Sequence, residues 1–456
     1  MEMTMTLRSE IERGIAEMGM NFSEFGEWSG INRGIFSAIL NSNPPKPISL
    51  NQLERIAKAL GHEQGWMFDL YIDECFYDGR PNRRRVEPFL IRSAELNRID
   101  CIQKVLSRLL EDLKQLEMIF EIGEALYTSG KIKESVVFYQ CIVQNEKYHQ
   151  SERLAVSHYR LFRAALGEDN ERNLRAAIEF EPFCDKLPDH HRLDGLMKLA
   201  NVYFSLDKYG EAETYSRELS RFSKIIFENI NGSLNDKIGV DVHAQTEYSL
   251  IVYYGYGYLA MQSIMINNKD YEQAAYYISK CNSLNNISGL DEQAKNEVLK
   301  FDFHSKANEM YLNIANGDEQ AFYECLDFIR KHPEEILVAL LFITEHATKH
   351  NYPLDSLLHE FSLQLETFSY ENSYYHSTNN FSRQMSIYYN LATWYVEQKK
   401  HKMSLDYLLK GLAIAIKIKS TVMFMKFVPL FEKYRSNASH EQIVQYEILI
   451  GGLLLQ

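Results

Sequence analysis

Two segments near the N-terminus carry side chains that could bind phosphate. No Asp or Glu occurs between Glu27 and Glu54, a window of 26 residues that contains Arg33 and Lys46. Further along, RPNRRR (residues 80–85) holds four arginines in six residues. Guanidinium and ammonium groups bind phosphate oxygens, and a surface without carboxylates does not repel an anion. Both segments are candidate contacts for a polyanion, and a solvated linker is the alternative interpretation of the arginine segment.

Side chains arranged for catalysis or metal binding are scarce. His346 and His350 are four residues apart and could share a helix face, but Glu345 lies outside the pair and no third ligand is identifiable. The chain also lacks GxGxxG, a P-loop, GxSxG and HExxH. The sequence therefore predicts a protein that is not an enzyme and that has no metal site and no cofactor.

The composition indicates a globular, helical chain. It has 456 residues, of which 45% are hydrophobic, with only 10 Pro and 22 Gly, and β-rich folds need more turn residues than that. The six cysteines form no CxxC pair, which favours free, reduced thiols. The start of the chain carries several glutamates and no apolar block, and no apolar run reaches the roughly 20 residues that span a bilayer. We expect a soluble, cytoplasmic protein without membrane contact.

The net charge of −13 argues against wholesale nucleic-acid binding but allows a small DNA-binding part on an acidic body. Residues 1–70 predict four helices, the first covering residues 5–18. Start and stop signals of the other three are Asn21 with Glu24 as a capping box, Gly30, Asn32, Ser49 and Gly61. A short helix, a glycine turn and a second short helix make a helix-turn-helix.

The run from Phe22 to Gly61 resembles the Cro/C1-type (XRE) repressor family along its whole length. The residues that carry the resemblance are Phe25-Gly26, Gly30-Ile31, Ser37, the LERIAKALG run Leu53–Gly61, and Trp66-Met67-Phe68. The resemblance implies a lambda-repressor-like DNA-binding domain, which we assign to residues 1–70, followed by an arginine-rich linker over residues 71–86.

The same resemblance implies which residues contact double-stranded DNA. They lie at the start of the third helix, with added phosphate contacts: Asn32, Arg33, Gly34, Ser37, Ala38, Asn41, Lys46, Arg83 and Arg84. Arg33 can bind guanine with two hydrogen bonds, whereas Gly34 and Ala38 offer no side-chain hydrogen bond. Direct base readout should therefore be thin and be helped by DNA shape. Phe22 stands where the family often has a phosphate-binding Gln, and Leu40 replaces a frequent Glu.

The remainder, residues 87–456, resembles an array of tetratricopeptide repeats. The offsets of small and aromatic residues in residues 198–219 match that repeat of about 34 residues. Further copies lie at residues 388–415 and 120–143, with looser ones around 250–282 and 303–330. We expect a right-handed superhelix whose 29 Tyr and 25 Phe fill the spaces between hairpins. The apolar end, residues 448–455, suits a capping helix or a dimer contact.

Such arrays present a concave surface that binds extended peptides. Asparagine suits this task because its amide both donates to and accepts from a peptide backbone. The candidate peptide-binding residues are Arg163, Asn201, Tyr254, Asn308 and Asn390. For each of them, ordinary hydrogen bonding between helices is the alternative.

A helix-turn-helix followed by tetratricopeptide repeats resembles the RRNPP family of quorum-sensing receptors. The resemblance implies a cytoplasmic, homodimeric transcriptional regulator that binds a short imported signalling peptide. A phage arbitrium-type receptor, or a protein that regulates a response-regulator phosphorelay by contact, remains an alternative within this plan. A tetratricopeptide scaffold for protein partners is a third alternative, against which the helix-turn-helix argues.

Overall fold

The computed structural model describes residues 6–77, 79–232, 246–287, 290, 292–366 and 377–451. Within these ranges the chain forms 23 α-helices, several short 3₁₀ segments and one two-stranded hairpin. The prediction of an all-α chain is confirmed. The end of the apolar C-terminal run, residues 452–455, lies outside the described residues.

The chain divides into two compact units, residues 1–164 and 165–456. The N-terminal unit contains ten helices and a hairpin of β1 (Phe76–Tyr77) and β2 (Arg80–Pro81). Its helices are α1 (Leu7–Glu17), α2 (Phe22–Ser29), α3 (Arg33–Asn41), α4 (Leu50–Ala59), α5 (Phe68–Tyr71), α6 (Arg83–Glu95), α7 (Ile99–Leu109), α8 (Leu116–Thr128), α9 (Ile132–Asn145) and α10 (Glu152–Ala165), the last ending at the boundary.

The capping signals of the first helices are confirmed. The Asn21 side chain accepts from the backbone of Glu24 at 3.0 Å, and the Glu24 carboxylate accepts from the Asn21 backbone at 3.0 Å. Gly30 ends α2 in the left-handed conformation, with φ of 65°. Asn32 caps α3 by accepting from Gly34, and Ser49 caps α4. These bonds satisfy backbone N–H groups that have no partner inside a helix.

One hydrophobic core runs through the N-terminal unit from α1 to α9. Phe89 of α6 contacts Phe68 and Tyr71, with ring centroids 5.1 and 5.3 Å apart. The segment predicted as a linker, residues 71–86, thus contains the hairpin and the first turn of α6 and contributes to this core. The compact unit extends to residue 164 because α6 to α9 share the core of the first four helices.

The C-terminal unit contains thirteen helices within the described residues. They are α11 (Asn170–Phe180), α12 (Asp189–Ser205), α13 (Tyr209–Gly232), α14 (Leu250–Asn267), α15 (Tyr271–Asn282), α16 (Glu292–Ala315), α17 (Glu319–Lys331), α18 (Ile336–His350), α19 (Leu354–Glu366), α20 (Ser377–Glu397), α21 (His401–Lys417), α22 (Thr421–Tyr434) and α23 (His440–Gly451). Most neighbours along the chain pack on each other, and α12 also packs against α20. The Ser382 hydroxyl on α20 donates to the Ser205 carbonyl at 2.8 Å.

One type of turn recurs between successive helices of both units. A left-handed residue follows the first helix, and the next N–H donates to the carbonyl five residues back, as in a Schellman motif. Beyond the first five helices, such turns have their left-handed residue at Asn97, Gly130, Asp207, Lys269, Gly317, Asn351, Lys399 and Lys419. A repeated turn geometry gives successive helix pairs similar local arrangements.

The cysteines are buried, and none of the described helices is suited to crossing a bilayer. All six cysteines are described residues, all are buried, and none forms a disulfide, as predicted. Burial raises the pKa of the Cys75 thiol to about 12. Among the described helices, none combines the length and apolar character needed to cross a bilayer.

Candidate functional site

The first candidate surface is the exposed face of α3. Arg33, Ser37 and Asn41 are spaced four residues apart and are exposed, while Phe36 and Ile39 on the opposite face are fully buried. Asn32, Gly34 and Lys46 are also exposed, and Ala38 is half-buried. Arg33 forms no ion pair or hydrogen bond with a described residue. The helix therefore presents a polar row with an uncommitted guanidinium, which we name the α3 face (Asn32, Arg33, Gly34, Ser37, Ala38 and Asn41).

The Arg55 side chain fixes the turn that precedes the α3 face through two hydrogen bonds. Its guanidinium donates to the carbonyls of Ser29 and Gly30, which end α2. A side chain at position 30 would collide with this guanidinium, since a Cβ there would lie far inside van der Waals distance of Arg55. Glycine at this turn therefore serves both the positive φ and the close approach of Arg55.

The four arginines of residues 80–85 have different environments. Arg83 forms ion pairs with Glu87, at 3.2 Å, and with Glu121. Arg85 donates to the backbone carbonyl of Glu74 at 3.1 Å. Arg80 and Arg84 are exposed and have no partner among the described residues. Of the two arginines predicted to contact phosphate, Arg83 is engaged and Arg84 is available.

The second candidate site is a channel inside the C-terminal unit. Two adjoining cavities of about 410 and 340 Å³ share Phe204, Leu259, Ser263 and Arg383 as walls. Each volume lies in the range of about 300–1,000 Å³ that is typical of ligand pockets. We name the two cavities together the channel; helices α12, α14, α18 and α20 supply most of its walls.

Three of the predicted peptide-binding residues line the channel. Asn201 lies in the larger cavity, and Asn308 and Asn390 lie in the smaller one. Asn201 and Asn308 are only 8% and 7% exposed, so their amides are held in place by the surrounding helices. The structure thus brings together three residues that are 189 positions apart at the extremes of the sequence.

In each of these three amides, one of the two polar atoms forms a hydrogen bond with a neighbouring helix. Asn201 Oδ1 accepts from the Tyr256 hydroxyl, Asn308 Nδ2 donates to Gln262 Oε1 at 2.8 Å, and Asn390 Nδ2 donates to Thr344 Oγ1 at 3.4 Å. The other half of each amide has no partner among the described residues. The helix-to-helix bonds fix the orientation of the amide, and the remaining donor or acceptor can meet a backbone in the channel.

Charged groups of both signs surround the smaller cavity. Asp207, Glu345 and Lys426 form no ion pair within 4 Å with any described residue. Asp207 is exposed to solvent, but the protein atoms crowded around its carboxyl partly desolvate it and raise its pKa. The Tyr209 hydroxyl, which donates to Asp207 at 2.9 Å, and Lys426 oppose that rise in pKa. A ligand with polar or charged groups would find counterparts here.

The other two predicted peptide-binding residues lie elsewhere. Tyr254 is on α14 but lines neither cavity of the described channel; its ring packs on Phe227 and its hydroxyl accepts from Tyr258. Arg163 is on α10 of the N-terminal unit, where it donates to the Tyr159 hydroxyl at 2.9 Å. Both are engaged in packing and hydrogen bonds within their own units.

Sequence reasoning missed most of the channel wall, including Arg383. A signal was available on α20, where Ser382, Ser386 and Asn390 follow at intervals of four and therefore share a helix face. Extending the face from Asn390 by seven residues reaches Arg383. Asp207 carried no such signal, because it is the left-handed residue of a turn.

The groups that could suggest a metal site are engaged with protein atoms. His346 hydrogen-bonds the Phe342 carbonyl at 2.9 Å, and His350 the Ala315 carbonyl at 3.1 Å. Burial lowers the pKa of His346. An acidic pair in the N-terminal unit, Asp69 and Asp100, is bridged by the Arg98 guanidinium.

No protein-family model, no curated protein and no solved structure matches this chain.

Proposed function

We propose that the protein is a transcriptional regulator that reads DNA with the α3 face and is switched by a short peptide bound in the channel. The observation that carries the proposal is the presence in one chain of two different surfaces. One is an exposed polar helix with an uncommitted arginine, and the other is a ligand-sized channel lined by three half-engaged asparagines.

The helix order of the N-terminal unit supports the DNA part of the proposal. α2 and α3 are joined by a tight turn at Gly30, and α3 presents Arg33, Ser37 and Asn41 in one row. We expect such an arrangement in a helix-turn-helix of the lambda-repressor type, in which the second helix enters the major groove. Arg33 would contact guanine, and Lys46 would contact phosphate.

The repeated turns of the C-terminal unit support the peptide part. Helix pairs joined by the same turn are what a tetratricopeptide-type superhelix requires. Most walls of the channel come from four such helices, α12, α14, α18 and α20. A peptide backbone would meet Asn201, Asn308 and Asn390, and apolar side chains would meet Phe204 and Leu259. The proposal includes membership of the RRNPP-like receptors, a homodimer on two half-sites and a cytoplasmic location.

Switching requires that peptide and DNA prefer different states of the protein. A ligand shifts an equilibrium only by its difference in affinity for the two states. The peptide must therefore bind more tightly to one arrangement of the channel helices, and that arrangement must change DNA affinity.

DNA binding is tested by fluorescence anisotropy on duplexes from the region upstream of the gene. Wild type should bind, and Arg33→Ala should bind more weakly. Lys58→Ala is the matched control, because Lys58 is an exposed base on α4 without a partner among the described residues. Equal losses of affinity in both variants, or no binding by wild type, would refute the DNA part.

Peptide binding is tested by thermal melts with synthetic peptides encoded by small reading frames next to the gene. A ligand at 100 times its Kd should add about 2.7 kcal/mol of stability. Asn201→Ala should reduce that gain, whereas Asn316→Ala, an exposed asparagine outside the channel, should retain it. A gain that survives Asn201→Ala, Asn308→Ala and Asn390→Ala would place the ligand elsewhere.

A further inference from the structure

The hairpin of β1 and β2 has one face in the core and one face in solvent. Its register pairs Phe76 with Pro81 and Tyr77 with Arg80. Directly opposed residues of an antiparallel pair project from the same side of the sheet. Phe76 is buried, under the Arg108 guanidinium at 3.7 Å from its ring centroid. The other face therefore carries Tyr77, which is 69% exposed, together with the exposed Arg80.

Arg84, in the first turn of α6, follows the hairpin closely in the chain and is also exposed. The side chains of Arg83 and Arg85 project from different sides of α6. Arg83 reaches Glu121, and Arg85 reaches the Glu74 carbonyl. Consecutive helical residues are about 100° apart, so Arg84 lies between these two and opposite the buried Val86. We name Tyr77, Arg80 and Arg84 the hairpin patch. Its two guanidinium groups have no carboxylate partner among the described residues.

A chain of hydrogen bonds connects the hairpin patch to the end of α3. Arg85 donates to the backbone of Glu74, whose carboxylate accepts from Arg8 at 2.7 Å. Arg8 also donates to the carbonyls of Ile39, in α3, and Lys46, at 3.0 and 3.1 Å. The start of α6, which carries Arg84 and Arg85, is therefore connected through Glu74 and Arg8 to the end of α3 and to the loop that follows it.

We propose that the hairpin patch binds the phosphate backbone of DNA beside the groove that α3 occupies, which rests on the proposed DNA-binding function. Arginine and tyrosine donate hydrogen bonds to phosphate oxygens, and such contacts position a protein without reading sequence. Arg8 also holds the backbone carbonyl of Lys46. In this proposal Lys46, Arg80 and Arg84 all contact phosphates of the same duplex. Arg83 takes no part, because Glu87 and Glu121 neutralise it.

The partner is DNA, and an acidic protein is an outcome of the test. The carboxylate of Glu74, whose backbone accepts from Arg85, is 9% exposed and is occupied by Arg8 and by the Ile48 N–H. The patch is thus attached to an acid-free segment that is itself proposed to contact DNA.

The test compares salt-dependent binding to a 30-base-pair duplex of arbitrary sequence, measured by anisotropy. Removing one phosphate-binding side chain lowers the slope of log K against log salt by about 0.9. The full-length Arg80→Ala/Arg84→Ala variant should therefore have a slope smaller by about 1.8 per protomer and bind all sequences more weakly. Arg83→Ala removes one positive charge from the same segment and should keep the wild-type slope, where loss of a phosphate contact would lower it by about 0.9. Arg80→Lys/Arg84→Lys keeps both charges and should restore most of the slope.

Three results would overturn the proposal. The first is a wild-type slope in the double alanine variant, which would leave the DNA-binding function intact while removing the patch from it. The second is an equal reduction of the slope in Arg83→Ala, which would indicate a general charge effect. The third is a patch that binds an acidic peptide such as poly-glutamate as tightly as the duplex. Absence of binding by wild type would instead refute the proposed function. Circular dichroism of each variant confirms that it is folded.

Discussion

The two candidate sites place their key residues in opposite environments. On the α3 face, Arg33, Ser37 and Asn41 are exposed, and the hydrogen bonds that hold the helix come from other residues, Asn32 and Arg55. In the channel, Asn201 and Asn308 are over 90% buried and are themselves part of the bonds between helices.

On the α3 face, the side chains proposed to bind DNA are not those that stabilise the fold. In the channel, the side chains proposed to bind the peptide also stabilise the fold. A residue that contributes nothing to folding can be changed without affecting the fold, so Arg33, Ser37 and Asn41 are free to vary. A residue that both binds ligand and connects helices couples ligand occupancy to helix arrangement. In the proposed function, the channel would therefore serve switching and the α3 face would serve reading.

The largest expected effect is on stability, from Gln262→Leu behind the channel. Gln262 is fully buried; it accepts from Asn308 and donates to Ser305 and to the Tyr277 carbonyl. Its replacement leaves several buried polar groups without partners and should cost about 3 kcal/mol of unfolding free energy. Urea denaturation measures this, and Gln398→Leu, at an exposed position just after α20, should stay within about 0.5 kcal/mol of wild type. If both variants lost only a similar, small amount of stability, the residues behind the channel would not support the fold as the comparison requires.

The next effect is on recognition alone. Arg33→Ala should lose about 2 kcal/mol of discrimination between operator and mutated operator, because a bidentate arginine contact distinguishes guanine from other bases. Its unfolding free energy should remain within about 0.5 kcal/mol of wild type, because Arg33 is exposed and has no partner among the described residues. Paired anisotropy and urea measurements on one preparation test both statements. A stability loss above about 1 kcal/mol, the usual cost of a point mutation, would mean that reading and folding are also joined at this site.

A smaller effect on stability is expected at the α3 cap. Asn32→Ala removes the acceptor for the Gly34 N–H, a bond of 2.9 Å, and should cost about 1 kcal/mol. Asn32→Asp retains a capping oxygen and should cost much less. If Asn32→Ala and Asn32→Asp unfold at the same urea concentration, the cap does not support the α3 face.

The smallest effect is a change in pH dependence at Asp207. Partial desolvation raises the pKa of this carboxyl in the folded chain, so the folded chain keeps the proton at pH values where the unfolded chain has released it. The contribution of Asp207 to stability therefore falls as pH rises from about 3.9, the usual pKa of Asp, through the higher folded pKa. Asp207→Asn cannot ionise and should flatten that part of the curve. Melting temperatures between about pH 4 and pH 7 test this, and parallel curves for variant and wild type would contradict it.

Sequence reasoning succeeded where a signal is local. The helix predicted over residues 5–18 is observed as Leu7–Glu17, and the caps at Asn21, Asn32 and Ser49 each form the expected bonds. A cap depends on one side chain and backbone groups two or three residues away. Such signals can be read without knowing the rest of the fold.

Sequence reasoning was weaker where the partners of a side chain come from distant parts of the chain. The four arginines of residues 80–85 are alike in sequence, but only the fold shows that Glu121 engages Arg83 and that Arg84 has no partner among the described residues. Likewise, Asn201, Asn308 and Asn390 meet in one channel while Tyr254 packs on Phe227 outside it. Nothing in the spacing of these residues distinguishes the two cases.

The sequence by itself determined the helical class and the positions of the first helices, because composition, periodicity and caps act within a few residues. The tertiary structure decided which polar groups remain available. Whether an arginine or an amide is free depends on what lies within about 3 Å of it, and those neighbours come from distant elements, as Glu74 does for Arg8 across 66 positions. Long-range packing therefore divides one basic segment into an ion-paired arginine and an exposed patch, and it brings three separated asparagines to the walls of two adjoining cavities.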